Sequence, residues 1–213
     1  MNHRKQGRDH AGKLGQELVQ LAKMTAERFW AHRYINYHIK NWRLDKMSND
    51  NVSIFKEIMG SYPTGVTILT TTDAEEKPCG LTVNSFASVS LDPNLVLWCI
   101  DRRSASLEAF EQSQGFVVHI LAADQEELCW AFAGKDPDRF SKADWSLSKN
   151  NLPVISGSLG VLECKTVQQI DAGDHIIFLG EIIDIDKQDK EPMLYFRRDV
   201  GKIPTSWPAV VVH

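Results

Sequence analysis

The hydrophobic positions change period along the chain. Over residues 11–44, Leu14, Leu18 and Leu21, then Phe29, Trp30, Ile35, Ile39 and Trp42, recur at helical spacing with no proline. The spacing predicts a long helix there. A second helix is predicted just after Met47, with Ser48 or Asn51 as its N-cap and Val52, Phe55, Ile58 and Met59 as its apolar face. From residue 60 onward the pattern becomes runs and alternations of strand type. Strands are predicted over 65–72, 80–91, 95–101, 116–122, 159–170 and 175–187, with a short tail strand over 210–212. Two short helices interrupt them: 104–113, capped by Ser104, and 125–133, capped by Asp124 with Glu127 completing a capping box. Residues 73–80 read as a polar turn and 134–145 as a loop.

Most strands follow one another too closely for crossover helices, which a doubly wound parallel sheet requires. The fold class expected is mainly β with peripheral helices, an antiparallel barrel carrying its helices outside. Two segments are expected: a helical basic extension over 1–46, read as lying upstream of a start at Met47, and a barrel domain over 47–213.

Charge sharpens that division. Residues 1–46 hold 10 Lys/Arg against 4 Asp/Glu, a net +6, and the rest of the chain is net −10. An acidic body is a poor match for nucleic acid, whose binding depends on phosphate neutralisation. No apolar run approaches the roughly 18 residues of a membrane span. No charged-then-apolar leader is evident. The four cysteines (Cys79, Cys99, Cys129 and Cys164) form no C-x-x-C pair, so reduced thiols and a cytoplasmic location are expected.

The sequence has no G-x-G-x-x-G after a strand, no P-loop, no H-E-x-x-H and no G-x-S-x-G. A metal site is not expected. His119 lies inside an apolar strand and reads as a satisfied core or interface histidine. His175 stands in Gly173-Asp174-His175 at the mouth of a strand. Residues 80–93 are unusual for a strand region, because Thr82, Asn84, Ser85, Ser88 and Ser90 put five small polar groups in it. Buried, such groups need partners. A polar ligand along the strand would supply them, and so would solvent at a sheet edge.

The order of the motifs decides between these. SYPTGVTILTT, GLTVNSFASVSLDPNLVLWCID, FAGKDPDRF, LECK, GDHIIFLGEI and PMLYFRR together resemble the flavin reductase-like family, the short-chain NAD(P)H:flavin oxidoreductases with an FMN-binding split barrel. The resemblance runs from about Phe55 to Ile203. It implies a Greek-key split barrel, a homodimer with flavin near the subunit interface, and NADH or NADPH as electron donor. FMN is the implied flavin, with FAD as the alternative. It places Thr82, Val83, Asn84, Ser85, Ser88, Val89 and Ser90 along the ring and ribityl chain. Cys99, Asp101, Ser104 and Ser106 fall at the phosphate end. Gly173, Asp174 and His175 belong beside the nicotinamide or flavin, with His175 as the catalytic candidate, and Tyr195 and Arg197 near the same pocket. One departure stands out: Arg197-Arg198-Asp199-Val200 replaces the family's Arg-Gly followed by a basic residue and Tyr. Arg102, Arg103, Arg197 and Arg198 are the candidates to meet a nucleotide 2′-phosphate.

The implied function is flavin reduction by NAD(P)H, supplying reduced flavin to a partner monooxygenase. Three alternatives use the same residues differently. A flavoprotein of the same fold would reduce a ferric complex, cobalamin or a protein. A non-enzymatic barrel would hold flavin or haem. An interaction protein would act through its basic helix.

Overall fold

The computed structural model describes residues 48–207. The helix predicted over 11–44 and the tail strand over 210–212 lie outside the described residues. The chain divides into two compact units between Lys56 and Glu57. Helix α1 (Asn49–Gly60) spans that division, and Ser48 Oγ caps it by accepting the Asn51 N–H at 3.2 Å.

The second unit is built on a seven-stranded antiparallel sheet. Its strands are β2 (Thr67–Thr72), β3 (Pro78–Val83), β4 (Ala87–Leu91), β5 (Asn94–Asp101), β6 (Gly115–Ile120), β9 (Gly160–Ala172) and β10 (His175–Lys187). Their order is β3-β2-β6-β9-β10-β5-β4, with β4 on a free edge. Short strands β1 (Thr64–Gly65), β11 (Leu194–Phe196) and β12 (Asp199–Gly201) form a separate three-stranded sheet. A third sheet pairs β7 (Trp145–Leu147) with β8 (Pro153–Ile155).

Alternation along β5 and β10 builds the inner core. Val96, Trp98 and Ile100 point inward, opposite Gly180, Phe178 and Ile176 in the register. Trp98 stacks on Phe178 at 4.9 Å and meets the edges of Phe110 and Phe116 at 4.8 and 5.7 Å. Strand β2 is buried on both faces. Leu69 joins the inner core, while Ile68 packs outside with Cys129 and Phe132 of helix α3 (Glu126–Ala133). An unbroken apolar and Thr-rich run is the sequence signature of such a doubly covered strand.

The barrel is split rather than closed by a ladder. Beyond β3, the Ser85 hydroxyl donates to Cys99 O at 3.0 Å and accepts the Cys99 N–H at 3.0 Å. A side chain therefore bridges β3 to β5 where no strand pairing exists. The strand predicted over 80–91 is accordingly two strands, interrupted at Asn84–Phe86.

Three other expectations are corrected. Helix α2 runs Leu107–Gln112 with Ser106 at the cap position, and Ser104 Oγ instead accepts the Ser106 N–H at 3.3 Å. The Asp124 carboxylate does not cap α3, whose cap position is Gln125; it pairs with Lys190 at 3.1 Å. The loop over 134–145 contains a 3-10 turn at Arg139–Lys142 and ends at Trp145 in β7. Its Arg139 guanidinium donates to Gly80 O at 2.9 Å and so ties the loop to β3. His119 is the satisfied core histidine that the sequence suggests. The Ile155 N–H donates to its Nε2 at 2.9 Å, so its Nδ1 carries the proton and donates to Ile68 O at 3.0 Å.

Candidate active site

A cavity of about 210 Å³ opens where β3 leaves the sheet. Thr82, Val83 and Asn84 form one wall, and Tyr195 of β11 with Val200 of β12 forms another. Trp130, Cys129 and Ala133 of α3 and Val66 complete it. Tyr195 and Val200 are register partners, so a single cross-strand pair presents both side chains to the cavity.

The polar row sorts into used and unused groups. The Thr82 hydroxyl donates to Cys129 O at 2.8 Å, which fixes α3 against β3. Ser85 is consumed by its bridge to Cys99. Ser90 Oγ accepts the Asp92 N–H at 3.2 Å. Asn84 and Ser88 are exposed, and no side-chain hydrogen bond holds either of them. Ser88 lies on edge strand β4, where Val89 bulges between Ser88 and Ser90. An edge strand leaves main-chain N–H and C=O groups unpaired on its outer side.

From Asn84 the path continues through Ser85 and Cys99 to Asp101, the last residue of β5. Across the ladder from Asp101 stands His175, the first residue of β10. Gly173 and Asp174 form the two-residue turn before it. Gly173 has φ +70°, and a Cβ added there would meet nothing within 4 Å, so backbone conformation rather than space requires glycine. The Asp174 carboxylate accepts from His175 Nδ1 at 2.8 Å, which leaves Nε2 facing other partners.

This end is strongly acidic-basic, and its cations are committed. Arg103 donates to Asp101 through its side chain at 2.6 and 3.1 Å and through its backbone N–H at 2.8 Å. Those bonds hold the Asp101 carboxyl well below the ordinary carboxylate range, with the nearby His175 adding a smaller pull. Arg102 pairs with Asp171 and donates to Gly173 O at 3.1 Å, while its backbone N–H donates to Asp174 O at 2.9 Å. It braces the turn that carries His175. Asp174 is held low chiefly by its hydrogen bond to His175.

The thiols here are not poised for chemistry. Burial pushes Cys129 up to about 11, with Glu126 adding to the shift. Burial also raises Cys79, against the opposing Ser106 hydrogen bond and Arg139 charge, and it raises Cys99.

The structure thus brings Thr82, Val83, Asn84 and Tyr195 into one cavity. It links Ser85 and Cys99 and sets Asp101, Gly173, Asp174 and His175 around one strand pair. Ser104 and Ser106 follow in the adjoining loop. Ser88, Val89 and Ser90 lie apart on the sheet edge, and Arg197 occupies the tip of the β11–β12 hairpin. Sequence reasoning missed Trp130, the largest cavity residue, which is 45% exposed on a helix that buries Cys129, Ala131 and Phe132. These residues fit a flat conjugated ring. The cavity pairs an aromatic, apolar wall with the free amide of Asn84, and donors follow along the adjoining backbone.

A family profile described as flavin reductase like domain matches residues 59–204. An FMN reductase (NADH) of Agrobacterium fabrum is 39% identical over 158 residues, covering 70% of this chain and 90% of that protein. The reductase subunit of a flavin-dependent monooxygenase of Rhodococcus jostii is 38% identical, covering 67% of this chain and 73% of its own length. Among solved structures, a Streptomyces globisporus NADH:FAD oxidoreductase in complex with NAD and FAD fragments superposes with a TM-score of 0.69 at 33% identity. That match covers 74% of this chain and 95% of the other.

Proposed function

The chain belongs to the flavin reductase-like family, and we propose that it reduces flavin with a nicotinamide nucleotide at the cavity between β3, α3 and the β11–β12 hairpin. The observation that carries the site is the cavity itself, where the free Asn84 amide and Tyr195 line the same space. FMN is the proposed flavin, on the likeness to the Agrobacterium FMN reductase. Released reduced flavin would serve a separate monooxygenase, the role named for the Rhodococcus relative.

Bound flavin supplies the ring atom that accepts hydride from the nicotinamide. The protein's part is position and electrostatics. Thr82 and Ser85 spend their hydroxyls on the scaffold, so they act by holding the main chain of 82–85 in place. Asn84 keeps its side-chain amide free for the polar edge of the ring, whereas Ser88 stands apart from the cavity on the β4 edge. Trp130 and Tyr195 exclude water from the apolar wall. Residues Asp101 to Ser106, with Cys99 before them, form the proposed phosphate end, where the donors are the Ser104 and Ser106 hydroxyls, because the Arg102 and Arg103 side chains and the N–H groups of Arg102, Arg103, Ser104 and Ser106 are already bonded within the protein. His175, fixed by Asp174 through Nδ1, offers Nε2 to the nicotinamide amide. Arg197, at the hairpin tip, is held over the Phe196 ring and does not line the cavity. A homodimer is proposed across the free β4 edge, where Val89 and Leu91 are 48% and 90% exposed.

The test is anaerobic. FMN in excess over the protein is mixed with NADH and then with NADPH, and visible flavin absorbance is followed. Catalytic bleaching is expected. Flavin that binds but is reduced by neither nucleotide would overturn the reading.

A further inference from the structure

The β11–β12 hairpin is strained in a way its packing does not explain. Its register pairs Phe196 with Asp199, so Arg197 and Arg198 are the two central residues of the turn. Both have positive φ, 52° and 69°. Tight hairpins of this type favour Asn-Gly, because an L side chain is strained in the left-handed region. Arg197 has local compensation. Its guanidinium lies 5.1 Å from the Phe196 ring centroid, and its backbone N–H donates to Gly60 O at 2.8 Å. Arg198 has none. Among the described residues no carboxylate pairs with it, and it is exposed. Strain retained at an exposed residue without structural return points to function.

Placement supplies the function. The pair next to the turn but one, Tyr195 and Val200, lines the proposed flavin cavity. At about 210 Å³ that cavity is too small for a whole dinucleotide. A nicotinamide seated against the flavin leaves its adenosine half outside the cavity, and the hairpin that carries Tyr195 and Val200 is one wall that half can follow. Of the four arginines near the site, Arg102 and Arg103 are tied to Asp171 and Asp101, and Arg197 is stacked on Phe196. Arg198 keeps all its donors. Lys202 adds a second cation beside Phe196 on the hairpin's other face.

We propose that Arg198 recognises the 2′-phosphate of NADPH and that the chain favours NADPH over NADH. The inference rests on the nicotinamide-dependent reading above. The 2′-phosphate is the group by which the two nucleotides differ, and a planar guanidinium can bind it through two parallel N–H bonds.

The experiment uses the full chain and the variants R198G and R198K. Calorimetry measures 2′,5′-ADP against 5′-ADP, steady-state kinetics gives the NADPH-to-NADH ratio of kcat/KM, and melting gives Tm. Wild type should bind 2′,5′-ADP about tenfold more tightly than 5′-ADP, the scale of a charge-assisted contact near solvent. R198G should erase that preference, lower the kcat/KM ratio about tenfold and raise Tm, because glycine accepts the turn conformation. R198K should keep part of the preference. A residue that merely shaped the turn could not lose discrimination while gaining stability. Equal binding of the two ADPs by wild type, or discrimination unchanged in R198G, overturns the proposal. If NADH reduces flavin but no discrimination is found, only this inference fails. If neither nucleotide reduces flavin while 2′,5′-ADP still binds through Arg198, the phosphate site stands and the reductase reading fails.

Discussion

His175 and Asp101 are direct partners in the register of β10 and β5, yet each is hydrogen-bonded by a different neighbour. Asp101 is satisfied by three bonds from Arg103, and His175 is oriented by Asp174. The carboxylate across the ladder is therefore not free to take a proton from the imidazole, and Asp174 sets the tautomer.

The first prediction follows from that arrangement. His175→Ala should slow flavin reduction or raise KM for the nucleotide about tenfold, with the flavin Kd changed less than about twofold. Asp174→Asn should produce a smaller loss in the same direction, because an amide orients the ring less strongly than a carboxylate. Stopped-flow reduction matching wild type in both variants would remove His175 from the mechanism.

Asn84 and Ser85 are neighbours with opposite roles, and substitution separates them. Asn84→Ala should weaken flavin binding by about 1–2 kcal/mol, the scale of one lost hydrogen bond, and leave Tm nearly unchanged. Ser85→Ala should lower stability by about 1–3 kcal/mol, because Cys99 then loses partners for both its N–H and its C=O. Flavin titration and denaturant melts read the two effects. Loss of flavin affinity without loss of stability in Ser85→Ala would contradict the bridge.

His119 makes stability depend on pH. Burial lowers its folded value from 6.5 to about 4, while the unfolded chain keeps the ordinary one. Between those values the unfolded state binds the extra proton, so stability rises with pH and falls as pH drops from 6.5 toward 4. By about pH 5 the loss should be about 2 kcal/mol. Asp101, Asp136 and Asp174, all held low, act only below about pH 4. Urea midpoints at about pH 7 and pH 5 test the slope, and nitrogen NMR tests whether the Nδ1–H tautomer persists at the lower pH. A flat profile, or an imidazolium signal at that pH, would contradict the assignment.

The sequence made the strands of the seven-stranded sheet legible because their alternation or apolar continuity is set by one barrel core. Strand β10 has the limits that its pattern predicts, His175–Lys187. The break at Asn84–Phe86 was not legible, because Ser85 ends the ladder through a bond to Cys99, 14 residues away. Strands β7, β8, β11 and β12 were missed because three residues carry no period. The caps assigned to Ser104 and Asp124 failed because each group found another partner. The site residues were named through resemblance. Which of their hydroxyls remain free depends on long-range partners such as Cys129 O for Thr82, and local pattern carries no trace of these.

Gly180 tests the core that supports all of this. It lies in β10 opposite Val96, and a methyl added there would sit 2.4 Å from Phe116 Cζ and 3.1 Å from Cys164 Cβ. Phe116 is fully buried and touches Trp98, so its ring has no open space to enter. Gly180→Ala should therefore destabilise by about 1–3 kcal/mol, the usual cost of overpacking. Phe116→Leu alone should also destabilise, through a lost aromatic contact and a small cavity. Combined, the two should cost less than their sum, because leucine makes room for the added methyl. Denaturant melts of both single variants and the double variant close the cycle. Strict additivity would mean that the Phe116 ring does not set the requirement for glycine at position 180.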